Sequence, residues 1–182
     1  MREDGDSLND LVKRAKNDDK QAFVELMELY KQRMYKIAIT YLRNDEDAAD
    51  AIQDTILTCY EKIGCLKQNL FFGTWMTRIL INHCKDILQK RQKEMTNDAI
   101  VEQEYICKEL DNYEFEELMQ RMDEKYRLIL LLYYGEGFKI REIAEILDMD
   151  ENTVKTRLAR GRKQFADVYF EQNKTERSKI YG

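Results

Sequence analysis

The sequence predicts an all-α protein: two helical domains joined by an acidic flexible linker, the second domain containing a helix-turn-helix. Three observations predict it. The chain has no proline and only seven glycines in 182 residues, so little in it breaks a helix. Apolar residues recur at steps of three and four along most of its length, which is the period of a helix face. Over 94–112 no sustained stripe survives, and residues 94–124 hold eleven acids against two bases, a composition suited to a solvated linker. The domains are therefore read as 1–93 and 113–170, with a linker at 94–112 and a tail at 171–182.

Residues 8–20 form a first short helix, with Leu8, Leu11, Val12 and Ala15 on one side. Over 21–43, Phe23, Met27, Tyr30, Met34, Ile37 and Tyr41 alternate steps of four and three, a stripe that faces a core. Asn44-Asp45 stops this helix and caps the next. The helix over 46–63 turns Ala48, Ala51, Ile52, Thr55, Ile56, Cys59 and Tyr60 inward. Asp50, Gln53 and Asp54 fall at i, i+3 and i+4 and gather on one face. Residues 44–61 hold six acids and no base, so this helix presents a negative surface. Two readings stand side by side, a solubilising face and a docking face for a basic partner.

A loop over 64–70 leads into FFGTWMTRILINHCKDILQKRQK, residues 71–93. Trp75, Met76, Ile79, Leu80, Cys84, Ile87 and Leu88 make a wide apolar stripe. Opposite it stand Arg78, Asn82, Lys85 and Gln89, extended by Lys90, Arg91 and Lys93. Phe71, Phe72 and Trp75 sit at the leading end. Aromatics beside a cationic face suit unpaired bases and a phosphate backbone, although Trp75 taken alone reads more readily as core.

Beyond the linker, Phe115, Leu118, Met119 and Met122, then Leu128, Ile129, Leu131 and Leu132, supply two supporting helices. Residues 140–165, IREIAEILDMDENTVKTRLARGRKQF, carry the helix-turn-helix. Ile140, Ile143, Ala144 and Leu147 form one apolar face. Asp148-Met149-Asp150 interrupts it, and Asp150 caps a second helix from Glu151. That helix buries Val154, Leu158, Gly161 and Phe165 and exposes Asn152, Lys155, Thr156, Arg157, Arg160, Arg162 and Lys163. Between Glu151 and Phe165 stand five basic residues and one acid, in a chain whose net charge is −5. Such a basic second helix inserts into the major groove of DNA. A solvated charged face is the plainer alternative; the small Ala144, the short turn and the cations opposite the seam favour DNA. The turn lacks glycine, so Asp148 has to accept a strained conformation. From Glu171 onward the sequence is polar and reads as a frayed tail.

Positive charge is thus concentrated at 85–93 and 151–163 within an acidic chain, which lets one protein touch DNA and a basic protein together. Cys59, Cys65, Cys84 and Cys107 make no CxxC pair, and His83 and the adjacent Cys84 point in different directions on a helix. They read as buried reduced thiols, with no metal and no cofactor. An enzyme built on His83, Cys84 and Asp86 lacks a second histidine and a coherent triad, so no catalytic residue is assigned. The longest apolar run, Leu128 to Tyr134, is too short to span a bilayer. The polar, acidic N-terminus does not look like a secretory signal. A cytoplasmic protein without direct membrane insertion is expected.

The run DEDAADAIQDTIL, followed by FxTWxxRIxxNxxxDxL and then by the helix-turn-helix, resembles the extracytoplasmic-function (ECF) sigma factors of bacterial RNA polymerase. The likeness covers about residues 20–93 and 113–167. It implies that Asp50, Gln53 and Asp54 dock on the clamp helices of the largest subunit of core RNA polymerase. It places Asn82 beside a flipped minus-10 base, on one face with Arg78, Lys85 and Gln89, and Trp75 at the aromatic of that motif. Trp75 also belongs to the core stripe and is left out of the binding set. Lys155, Thr156, Ala159 and Arg160 match minus-35 base-reading positions, with Arg157, Arg162 and Lys163 beside them. The resemblance further implies promoter DNA, duplex and single-stranded, and an anti-sigma factor, often membrane-anchored, as partners. The chain departs from the pattern at Leu66-Lys67-Gln68-Asn69, at Gly73 where a basic residue is common, at Met122-Asp123, and at Lys139, which replaces a serine cap. The alternative is a dimeric helix-turn-helix regulator of duplex DNA, which has no need of a melting surface at 71–93.

Overall fold

The structure is a computed structural model that describes residues 3–95, 118–119 and 121–181, with side chains placed over 8–93, 118–119 and 121–171. Every regular element among the described residues is helical. The chain divides into two compact units, one of residues 1–103 with 145–147 and the other of residues 104–144 with 148–182, and each is described by itself.

The first unit holds α1 (Glu3–Lys16), α2 (Lys20–Leu42), α3 (Asp45–Lys62) and α4 (Phe72–Met95). Asp19 starts α2 by accepting the Ala22 N–H at 3.0 Å. The helix stops at Arg43, whose left-handed backbone (φ 51°) lets its N–H close on the Ile39 carbonyl. Asn44 then caps α3 by accepting the Asp47 N–H at 2.9 Å. Phe23, Met27, Tyr30, Met34 and Ile37 of α2 are buried, as their spacing predicts, and Leu26 joins them, while Tyr41 of the same stripe is only partly covered. The inward face of α3 is made of small groups, Ala48, Ala51, Thr55 and Cys59. Small groups let α2 and α4 both pack closely on it. Tyr60, expected inside, is half exposed and meets Phe23 edge-on at 5.2 Å.

The second unit holds α5 (Glu124–Leu130), α6 (Ile140–Leu147) as far as Ala144, and α7 (Glu151–Tyr181). At Leu131–Gly135 the backbone widens, and the Glu136 N–H reaches the Leu131 carbonyl five residues back. Arg127 is buried at 5% exposure and donates to the Met122 carbonyl at 3.1 Å. Lys139 offers α6 no acceptor, yet the helix starts cleanly because the Glu142 carboxylate accepts the Lys139 N–H at 2.8 Å. Helix α7 runs on to Tyr181, past the point where the sequence predicts a frayed tail. No glycine or proline interrupts it after Gly161, and its Glu, Gln, Lys and Arg residues are good helix formers. The expected linker at 94–112 lies outside the described residues, apart from Glu94 and Met95, which continue α4. Phe115 and Cys107 lie outside them too.

Candidate functional site

Asp50, Gln53 and Asp54 are all exposed on α3. With His83, Asp86, Ile87 and Lys90 of α4 they line a shallow groove of about 440 Å³. Three carboxylates against one lysine leave it negative. His83 is held at one edge by a 3.1 Å hydrogen bond with Thr58 Oγ1. One turn before the groove, Arg91 Nε lies 2.7 Å from Asp47 Oδ2, an ion pair without a well-aligned hydrogen bond. Burial pushes the Asp47 carboxyl above its ordinary value, Arg91 pulls it back, and the Asp50 and Glu46 charges push it up again. Arg91 is therefore spent on Asp47 and Lys90 lines the acidic groove, so neither extends the Arg78 face to which sequence position assigns them. A lysine or arginine seated between facing acids is claimed by the nearer charge.

The other polar face of α4 carries Arg78, Asn82 and Gln89, all exposed, and the half-buried Lys85. The buried residues of the helix are Phe72, Thr74, Met76, Thr77, Leu80, Ile81 and Cys84. This corrects the predicted stripe. Trp75, Ile79, Ile87 and Leu88 are only partly covered, while Thr77 and Ile81 are fully buried. Of the leading aromatics, Phe72 is fully buried between Tyr30 and Trp75, at 5.3 and 5.8 Å, and cannot stack on a base. Phe71 is 47% exposed and its neighbour Leu70 80%. A Cβ at Gly73 would stand 3.3 Å from the Tyr30 hydroxyl and 3.4 Å from Arg33, so no larger residue fits there without displacing them.

The loop before α4 is built from two short turns, Ile63–Cys65 and Asn69–Phe71. Leu66 between them is buried. Its carbonyl accepts the Lys16 ammonium at 2.6 Å, and Asn69 Oδ1 accepts it at 3.2 Å. No local pattern points to this contact, since about half the N-terminal unit's sequence separates the partners.

In the second unit the turn between α6 and α7 is closed as predicted. Asp148 adopts the left-handed conformation (φ 56°, ψ 53°), and the Met149 N–H closes on the Ala144 carbonyl at 2.9 Å. Asp150 caps α7 by accepting the Thr153 N–H at 2.9 Å. Val154, Leu158 and Gly161 are buried, while Phe165, expected to join them, is only partly covered. A Cβ at Gly161 would meet Tyr126 Cβ at 3.2 Å and Leu130 Cγ at 3.4 Å, so α7 lies directly against α5 at this point. Lys155, Thr156, Ala159, Arg160, Arg162 and Lys163 are exposed, while Arg157 is half buried beside the seam. Asn152, Thr156, Ala159 and Lys163 follow at i, i+4, i+7 and i+11 and share the outward line of the helix. Lys155 lies within ion-pair reach of Glu151 at 4.0 Å.

The thiols differ from the single reading given to them. Burial pushes both Cys59 and Cys84 up to about 12, whereas Cys65 is exposed on the loop. Among the described residues no group of His, Cys, Asp and Glu is arranged to hold a metal ion, and no helix is long and apolar enough to cross a membrane.

Comparison with known proteins matches residues 26–94 to Sigma-70 region 2 and residues 113–165 to Sigma-70 region 4. The chain is 32% identical over 152 residues to the RNA polymerase sigma factor SigV of Bacillus subtilis, covering 81% of this chain and 91% of that one. It is 29% identical over 180 residues to the ECF RNA polymerase sigma factor SigW of the same organism, covering 86% and 96%. In fold it is similar to the sigma factor RpoE of Bartonella quintana, solved with the anti-sigma factor NepR. That likeness has a TM-score of 0.71 at 21% identity and covers 81% of this chain and 96% of that one.

Proposed function

The chain belongs to the ECF sigma factors of RNA polymerase, and from that premise we propose how its surfaces divide the work of initiation. As an alternative sigma factor it directs RNA polymerase to specific promoters. In the proposed division, Asp50, Gln53 and Asp54 dock on the clamp helices of the core enzyme. Arg78, Asn82, Lys85 and Gln89 of α4 hold the opened minus-10 element. Helix α7 enters the major groove at minus-35, with Lys155, Thr156, Ala159 and Arg160 toward bases and Arg157, Arg162 and Lys163 toward phosphates. The sigma factor supplies binding energy and no catalytic group. Because the related RpoE is solved with an anti-sigma factor, we propose a partner of that kind here as well, and the cytoplasm as the compartment.

The observation that carries the reading is the separation of two polar faces on α4. Lys90 and Asp86 join the acidic groove, while Arg78, Asn82 and Gln89 stand exposed on another line of the same helix. A regulator that binds only duplex DNA requires neither face. The test is transcription reconstituted with core polymerase, with start sites mapped and minus-10 thymines probed by permanganate. Extruding a base costs a few kcal/mol, recovered only by contacts to the unpaired strand. Asn82→Ala is therefore expected to spare core assembly and minus-35 binding but to weaken the permanganate signal, and a pre-melted bubble is expected to restore part of it. A normal footprint in the variant removes Asn82 from the melting surface. A wild-type holoenzyme that opens no promoter overturns the whole assignment.

A further inference from the structure

We propose that Lys16 of α1 is a positioning residue for promoter opening, holding the loop before α4 in the shape that receives an unpaired base. The inference rests on the reading of α4 and its leading loop as the minus-10 surface. Lys16 Nζ donates to the Leu66 carbonyl at 2.6 Å and to Asn69 Oδ1 at 3.2 Å. It thereby ties together both ends of the segment between the two short turns. Helix α1 also packs against both turns, and Leu66 is sunk into the core. The side chains left pointing outward include Leu70, at 80% exposure, and Phe71, at 47%. An exposed apolar pair on a tethered loop is a surface prepared for a base rather than for water.

The clamp also sets chemistry. An ammonium carries three donors and no acceptor, so the group of Asn69 that faces Lys16 has to be its oxygen. The Asn69 amide nitrogen is thereby turned away from Lys16, with donors to offer. The loop then favours a base edge that presents an acceptor, and Lys16 fixes that preference without touching DNA.

The experiment uses holoenzyme assembled from the full chain and core polymerase. The probe is a single-stranded oligonucleotide carrying the minus-10 non-template sequence of a promoter mapped with the wild type. Lys16→Met keeps the aliphatic stem and removes the donors. It is expected to weaken single-strand binding about tenfold, as the loop loses its preorganisation. The affinity for a duplex minus-35 fragment is expected to stay unchanged, and hydrogen exchange to rise over 66–71 but not in α2. Lys16→Arg, which restores donors, is expected to recover most of the loss. The salt dependence of Lys16→Met is expected to match the wild type. A slope smaller by about one would instead mean that Lys16 contacts a phosphate and would overturn the proposal. So would undiminished single-strand binding, or an equal loss on the duplex fragment. Lys67→Ala and Leu70→Ala separate the proposal from its premise. If both bind the single strand at full strength, the loop is not part of the minus-10 surface and both ideas fall. If they weaken binding and Lys16→Met does not, the loop receives DNA and Lys16 does not position it.

Discussion

The two units build their polar surfaces in opposite ways. In the first, the surfaces draw on more than one element: α3 and α4 share the acidic groove, and α1 ties down the loop that opens α4. In the second, one helix carries the whole basic surface, and seating that helix on α5 at Gly161 is enough to present it. The difference teaches where substitutions spread. A change on α4 reaches two surfaces at once, because its faces diverge from a single buried edge. A change on the outward line of α7 stays local, and separated changes there should add.

The largest expected effect breaks the first kind of surface. Asp50→Lys with Asp54→Lys places cations where the groove is negative and where His83 and Lys90 already stand. Contacts made by charge complementarity lose several kcal/mol on such reversal. Affinity for core polymerase, measured by titration in a pull-down, is expected to collapse while the thermal unfolding curve stays in place. Unchanged affinity would remove the groove from the docking surface.

Next in size is the second kind of surface. Arg160→Ala is expected to weaken promoter binding by about 1–3 kcal/mol and to alter preference at one minus-35 position. Arg162→Ala is expected to lower affinity evenly across sequences and to reduce the salt slope by about one. Equal, sequence-blind losses in both variants would withdraw Arg160 from base reading. Gly161→Val tests the seat beneath them. Its branched Cβ has to enter space where Tyr126 Cβ already stands 3.2 Å away. Overpacking of this kind costs about 1–3 kcal/mol, so urea unfolding of the second unit is expected at lower denaturant. An unshifted midpoint would mean that α5 yields.

The same contrast decides what the sequence discloses. The turn of the helix-turn-helix is legible because its causes are local. Asp150 caps three residues ahead, and Asp148 takes the left-handed position that the break in the apolar pattern demands. Asn44 is legible for the same reason. Which of two adjacent aromatics is buried is not local. Phe72 goes inward against Tyr30 of α2, more than forty residues earlier, while Phe71 stays outward, and helical period alone does not choose between them. The pairing of Arg91 with Asp47 and of Lys16 with Leu66 joins residues that no spacing rule connects. A cation read as part of a DNA-facing patch therefore turns out to brace two helices, and the loop's tether has no signature in its own stretch.

The smallest expected effect sharpens the comparison at the helix starts. Helix α3 and helix α7 begin with the same geometry, an Asx oxygen accepting the N–H three residues on at 2.9 Å. Asn44 caps the first and cannot titrate; Asp150 caps the second and can. The Thr153 hydroxyl, and then the Thr153 N–H, hold the Asp150 carboxyl below its ordinary value of 3.8. A carboxyl lowered in the folded state stabilises fully above its unfolded value, and that contribution disappears as pH falls through the folded value. Acid below 3.8 is therefore expected to loosen the start of α7 while leaving the cap of α3 intact. Asp19, which caps α2, is lowered in the same way by the Ala22 N–H and by Arg14, so α3 is the reference for a cap that does not titrate, with Asp47 and its Arg91 partner supplying the acid response of its first turn. Hydrogen exchange, corrected for the intrinsic rate at each pH, is to be compared between peptides covering 151–165 and 45–59. Asp150→Asn keeps an equally good cap without the titration, so it is expected to flatten the acid response of the first peptide and leave the second as it was. If the variant loosens with falling pH as the wild type does, the acid sensitivity of α7 arises elsewhere than at its cap.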